Sequence, residues 1–416
     1  MKTKNLLGAI VSLTVALICF LPAATVAQGN WTQKADFPGG VIAGSASFSI
    51  GTKGYMGIGN DSLNSVKDFW EWDRETNIWT RKADFPGNII EGAVGFSIGN
   101  KGYIGSGWSA ESVFDGLSNE LWEFDPEANT WTKKASIPSS NGRAGAVGFS
   151  IGNKGYIGTG WKWGCEFHQE FWEWDQFTDT WTQKADFKGI GRANAVGFSI
   201  GNKGYIGTGF SFCWDTNLQD FWEWDQQTNV WTQKADYPGG MTSVAVGFSI
   251  ENKGFIGTGV DWANYKDEFW EWDQSSNVWS KKANFGGGTR IYAFGLSIGN
   301  KGYIGTGLRW DNNVRNYYQD VWEFDPSAIT DLEEISTKNN FFYPNPASDF
   351  ITVNIRHTDN PHLTLNIYNI SGELIHSAVI LQNQQKINIK GLSSGIYIAE
   401  IKSKGGLDKQ KLIVQR

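Results

Sequence analysis

Residues 197–209 read GFSIGNKGYIGTG, and this stretch decides the fold. Gly201-Asn202 is a two-residue turn of the kind that joins antiparallel strands, because both residues tolerate φ > 0. Before it, Ala195 to Ile200 is small and apolar, as an innermost strand must be. After it, Lys203 to Gly209 reads as a second strand. Phe221 to Asp225, FWEWD, alternates its faces as a third strand. Gln226 to Asn229 turns the chain, and Val230 to Ala235 is a fourth, outermost strand.

The same order recurs along the chain. The aromatic residue of the second strand returns at Tyr55, Tyr103, Tyr156, Tyr205, Phe255 and Tyr303, at spacings of 48 to 53. The third strand carries Trp70, Trp122, Trp172, Trp222, Trp270 and Trp322. The fourth begins at Trp31, Trp79, Trp131, Trp181, Trp231 and Trp279. Four antiparallel strands repeated six times predict an all-β, six-bladed β-propeller. A lone fourth strand, Trp31 to Asp36, precedes the first complete repeat, and the last repeat stops at Asp325-Pro326 without one. The N-terminal strand is therefore expected to complete the sixth blade and close the ring, which removes exposed sheet edges.

Composition agrees. The chain has 416 residues with 22 Trp and 51 Gly, 40% hydrophobic and 19% charged, which excludes wholesale disorder. Its net charge of −7 argues against nucleic acid, which needs a basic footprint. The acid excess lies in the repeat body, since residues 341–416 carry more Lys and Arg than Asp and Glu. At the start, Lys2 and Lys4 precede an apolar run, Leu6 to Leu21, and the small residues Thr25-Val26-Ala27. Residues 1–27 are expected to be a cleaved export signal.

The segment Phe124-Asp125-Pro126-Glu127-Ala128-Asn129-Thr130-Trp131 resembles the kelch repeat in its aromatic-Asp, Asn and Trp. Tyr205 to Gly209 resembles the kelch tyrosine-to-glycine segment, with Thr208 where kelch blades usually carry the first of two glycines. The resemblance spans about residues 30–326 and implies fold more than function. The propeller is expected over 28–326, followed by a linker at 327–340. Residues 341–416 carry Tyr343-Pro-Asn-Pro, Ile367-Tyr-Asn-Ile-Ser-Gly, Leu392-Ser-Ser-Gly-Ile-Tyr and Lys411-Leu-Ile-Val. In that order they resemble the type A C-terminal sorting domain of the type IX secretion system. Short alternating strands there predict a small immunoglobulin-like β-sandwich. The resemblance implies a Bacteroidota-type cell, the type IX machinery as a partner, and a secreted or surface-attached product whose tail is removed.

Function must come from what the repeats do not share. Glu71, Glu123, Glu173, Glu223, Glu271 and Glu323 occupy one strand position in every blade and read as structural pairs with lysines such as Lys234. The strand two-to-three loops and the blade-to-blade loops vary, and antiparallel topology puts both on one face. That face carries Trp108, Trp161, Trp163, Trp214, Trp262 and Trp310, with acids such as Glu111, Glu166 and Asp261 among them. Aromatic rings with hydrogen-bonding acids suit a glycan or a protein partner. Arg143, Arg192 and Arg290 share one offset before the innermost strand. Either they ring the channel mouth and grip a carboxylate-bearing ligand, or they tie down loop carbonyls and pair with acids such as Glu91. Cys165 and Cys213 fall on equivalent loops of adjacent blades and are expected to form a disulfide. Free thiols, or a metal site with His168 and Asp215, are the alternatives.

Three functions fit: a binding module, a carbohydrate-active enzyme, or a structural surface protein. Kelch-like propellers include copper-radical oxidases and a sialic acid epimerase. The oxidase site needs two His ligands, and residues 28–326 contain only His168. An epimerase-like site would draw on the three arginines and Glu91 or Glu166. No cofactor, nucleophilic triad or phosphate loop is called for by any motif.

Overall fold

A computed structural model describes residues 29–61, 65–109, 116–139, 142–162, 166–211, 216–262, 264–311, 314–328, 342–354, 363–369, 373–403 and 406–416. The expected export signal and residues 329–340 of the expected linker lie outside the described residues. The chain divides into two units, with the boundary at Thr330 and Asp331.

The first unit is built of four-stranded antiparallel sheets. Blade one comprises Ala46–Ile50, Lys53–Asn60, Ser65–Asp73 and Ile78–Arg81, in that order from the axis outward. Blades two to five begin with Val94–Ile98, Val147–Ile151, Val196–Ile200 and Val246–Ile250 and repeat the order. Blade six takes Phe294–Ile298, Lys301–Gly305 and Val321–Asp325 from its own repeat and Asn30–Gln33 as its fourth strand. The register runs Asn30 opposite Asp325 to Gln33 opposite Trp322, so the N-terminal strand closes the sixth sheet as expected.

Each apolar cluster is shared by two neighbouring blades, because a single four-stranded sheet cannot bury both its faces. In blade four, Phe198 stacks on Tyr205 at 5.5 Å, and Tyr205 meets Trp272 of blade five at 5.0 Å. Phe198 also covers Gly254 of blade five, whose missing Cβ would lie 2.4 Å from the ring. The same aromatic-over-glycine contact joins Phe48 to Gly102, Phe96 to Gly155, Phe149 to Gly204 and Phe248 to Gly302. Between blades six and one the pattern changes. Leu296 replaces the phenylalanine and approaches Gly54 only to an ordinary 3.5 Å. An apolar void of about 10 Å³ remains there, lined by Gly54, Met56, Leu296 and Tyr303 among others.

Polar clamps bind the outer strands of successive blades. The Trp231 indole donates to the Ala185 carbonyl at 3.0 Å, and Asn229 Oδ1 accepts from the Ala185 amide at 2.9 Å. Asn229 holds φ 55, a left-handed conformation that Asn tolerates. The inner faces carry the repeated glutamates. Glu223 accepts from Tyr205 at 2.9 Å and from Lys203 at 2.6 Å, with Lys234 at 3.6 Å. In blade five Phe255 has no hydroxyl to offer, and Lys282 sits 3.0 Å from Glu271, buried to 6% exposure.

The second unit is a sandwich of two sheets. One contains Phe342–Tyr343, Phe350–Asn354 and Gln384–Asn388. The other runs Leu374–Ile380, Leu363–Asn369, Gly395–Ser403, Gly406–Val414. Ile351, Val353, Leu365, Ile367, Ala399 and Leu412 are buried together between them. Among the described residues of both units there is no helix.

Candidate functional site

The strand two-to-three connections form small extra hairpins on one face. Trp161–Lys162 pairs with Glu166–Phe167, Phe210–Ser211 with Thr216–Asn217, Val260–Asp261 with Asn264–Tyr265, and Leu308–Asp311 with Val314–Tyr317. Each is held to the chain entering the innermost strand by a bridge, for example Ala144 to Trp161 and Ile291 to Leu308. The two sets of variable loops therefore share one face.

Three of the expected tryptophans present their rings there. Trp108 is 46% exposed, Trp262 56% and Trp310 45%. Arg315 lies over the Trp310 ring at 4.6 Å. Gly116, at φ 56, lets the backbone run against the Trp108 indole, where a Cβ would clash at 1.9 Å. Trp161 is half-buried, and Phe167 and Phe210 of neighbouring hairpins meet edge to face at 6.4 Å. Trp163, Cys165, Cys213 and Trp214 lie outside the described residues, within 163–165 and 212–215.

The arginines require a correction. Arg143, Arg192 and Arg290 have no exposed surface and do not line an open mouth. Arg192 donates to both Asp220 oxygens at 2.6 and 2.7 Å and to the Thr208 carbonyl at 2.9 Å. Arg290 binds Asp320 and the Thr306 carbonyl in the same way, and Arg143 binds Glu170 at 3.0 Å. Burial lowers the Arg143 guanidinium to about 10, which leaves it charged at neutral pH. The partner acid recurs in all six blades as Asp68, Glu120, Glu170, Asp220, Glu268 and Asp320. In the blades without this arginine a fourth-strand cation takes the role, with Arg81 on Asp68 at 2.9 Å and Lys281 on Glu268 at 2.6 Å. That fourth-strand position is Gln33, Gln183 or Gln233 wherever the arginine is present. The two sources of positive charge alternate, so the arginines balance a structural carboxylate.

His168 is likewise spoken for. It is 4% exposed, with Nε2 3.3 Å from the Gly142 carbonyl and Nδ1 3.7 Å from Glu170. Burial, helped by Arg143, lowers it to about 4, so it is neutral.

The axis end of this face carries a collar. Gly44, Gly92, Gly145, Asn194, Val244 and Tyr292 occupy equivalent positions, all with φ between 53 and 68. Backbone amides link them blade to blade: Gly44 donates to Tyr292, Gly92 to Gly44, Gly145 to Gly92, Asn194 to Gly145 and Val244 to Asn194, at 2.8 to 3.3 Å. The collar is bare backbone over blades one to three and bears side chains over blades four to six. Beside its bare half stands Glu91, with the Asn60 side chain near its carboxyl. Burial pushes the Glu91 carboxyl up, against the pull of Asn60 and the nearby Arg315. Tyr292 is 37% exposed, yet its packed surroundings, Glu91 and Tyr265 push its phenol up.

Comparison with known proteins separates the two units. Residues 341–415 match the family described as the Secretion system C-terminal sorting domain. No curated protein matches the sequence. The solved structure titled "Structure of YjhT" aligns over 69% of this chain and 95% of that chain, with a TM-score of 0.59 at 17% identity. That likeness is one of fold. The chain is thus a β-propeller followed by a secretion-system sorting domain, which marks it as a protein exported by type IX secretion.

Proposed function

We propose that the propeller is a secreted or cell-surface binding module for glycans, exported first through the signal at 1–27 and then by type IX secretion. The observation that carries this reading is the set of three tryptophans, Trp108, Trp262 and Trp310, each 45% exposed or more on the loop face of a different blade. The repeated tryptophans of the blades pack between sheets, so these rings are not explained by the core. Their flat faces offer apolar area to sugar C–H groups, and loop acids offer acceptors to sugar hydroxyls.

A glycan-array screen of the full exported chain tests the reading, with Trp108→Ala and Trp310→Ala as controls. Specific binding that falls in the controls is the expected result. No binding to any glycan overturns it in favour of a protein partner or a structural role. In the same reading Cys165 and Cys213 join hairpins three and four as a disulfide, checked by intact mass with and without reductant; two free thiols in the unreduced protein would refute the bond.

A further inference from the structure

The repeat symmetry breaks at two polar residues on touching strands. Position 91 corresponds to Ala43, Ala144, Ala193, Ser243 and Ile291 in the other blades, yet here it is Glu91. Position 60 corresponds to Trp108, Trp161, Phe210, Val260 and Leu308, yet here it is Asn60. The strands ending in Asn60 and Glu91 touch across the boundary between blades one and two, which sets the Asn60 amide near the Glu91 carboxylate. A residue pair needed for the ring would recur around the ring, and this one occurs once.

We propose that Asn60 and Glu91 form the recognition centre for an uncharged, hydroxyl-bearing sugar ring at the axis of the loop face. The proposal rests on the glycan-binding reading above and names its site and ligand class. Glu91 stands opposite Trp108 in a two-stranded pairing, so an acceptor and an exposed indole are neighbours. On its other side is Gly44, where an added Cβ would lie 3.7 Å from Glu91 Cβ and 4.0 Å from Tyr292 Cδ1. A ligand can therefore approach the bare collar backbone between an acid and a phenol, which is the use glycine serves near ligands. A carboxyl satisfied by an ion pair is held low, as Asp220 is by Arg192, whereas that of Glu91 is held up. An anionic sugar would meet this acid, while the three buried arginines remain committed to their own carboxylates and Arg315, the cation that acts on Glu91, lies over the Trp310 ring. A neutral sugar instead donates a hydroxyl to Glu91 and accepts from Asn60, exchanging one set of hydrogen bonds for another.

The test compares the full chain with Glu91→Ala and Asn60→Leu. Both substitutions install residues that other blades carry at the same positions, so the ring accommodates them, and unchanged thermal unfolding confirms it. The probes are glycans ending in galactose, mannose or N-acetylglucosamine, and their sialylated counterparts, with affinity read by titration calorimetry. The expected result is binding of a neutral-ended glycan, weakened about tenfold or more in Glu91→Ala, as loss of a hydrogen bond to a charged group requires, and about fivefold in Asn60→Leu, which loses one between neutral groups. Neutral glycans bound equally by both variants would overturn the proposal and leave the glycan-binding reading standing. A preference for the sialylated probes would overturn it too. If no glycan binds the unaltered chain, the broader reading fails and this site fails with it.

Discussion

Arg192 and Asp220 meet through two parallel hydrogen bonds, 2.6 and 2.7 Å long, with the guanidinium wholly buried and two further donors given to the Thr208 and Ile190 carbonyls. Removing one partner of such a pair strands the other in a low-dielectric site. Asp220→Ala is expected to cost about 3–5 kcal/mol of folding stability in denaturant unfolding. Gln33, Gln183 and Gln233 sit where the other blades place a cation. Gln233→Lys should therefore leave stability within about 0.5 kcal/mol, because Asp220 is already balanced.

Ring closure rests on a tryptophan that is remote in sequence from its partner. The Trp31 indole donates to the Ala283 carbonyl at 3.1 Å and packs edge to face on Phe285 at 4.9 Å. Trp31→Ala should destabilise the propeller by about 3 kcal/mol, the low end for a buried aromatic because this ring is partly exposed. Ile78→Ala, at a 59% exposed site on another outer strand, should stay within about 0.5 kcal/mol.

Equivalent glycines should respond with opposite sign. A Cβ on Gly102 would lie 2.0 Å from the Phe48 ring, so Gly102→Ala must displace it and should cost about 1–3 kcal/mol. A Cβ on Gly54 meets Leu296 at 3.5 Å beside the void between blades six and one. Gly54→Ala should be neutral or stabilising by up to about 1 kcal/mol, since it also restricts the unfolded chain. Chemical denaturation of the two variants side by side decides it.

Glu71 and Glu223 contribute to the acid limit. Burial alone would raise the carboxyls of Glu71 and Glu223, but hydrogen bonds from Lys53 and Tyr55, and from Lys203 and Tyr205, hold both below the ordinary 4.5. A carboxyl with a depressed folded-state pKa stabilises fully above its unfolded value, and the gain is lost as pH falls through the folded one. Thermal midpoints should hold steady above about pH 5 and decline below about 4.5. Glu223→Gln should lower the neutral-pH midpoint and flatten that decline.

The blades were legible because the same burial problem is solved in each, and Phe198, Gly204, Tyr205 and Trp224 are the recurring terms of the solution. The N-terminal strand was legible from a fourth strand without a blade and a blade without a fourth strand. Burial of the arginines was not read from their offset alone. The signal was present, however: an acid before every third strand, and glutamine replacing the fourth-strand cation wherever the arginine occurs. Exposure was the hardest property to read: Trp161 sits at the bridge to Ala144 and is half-buried, whereas Trp310 lies two residues beyond the equivalent bridge of Leu308 to Ile291 and is exposed. Glu91 was visible as an acid, but its singularity emerges only when the residue before each collar position is compared around the ring.

The sixth blade also acts as a measure of length. Its outer strand begins at Asn30 and its third ends at Asp325, so the two cannot pair until almost the whole propeller exists. A chain delivered N-terminus first holds Trp31 without its mate through five complete blades. A product cut short anywhere in between keeps an uncovered apolar face on blade one, with Met56 and Trp72 in it, and the unmatched strand at its front. Closure is thus a check on completeness, and it is passed only just before the sorting domain follows.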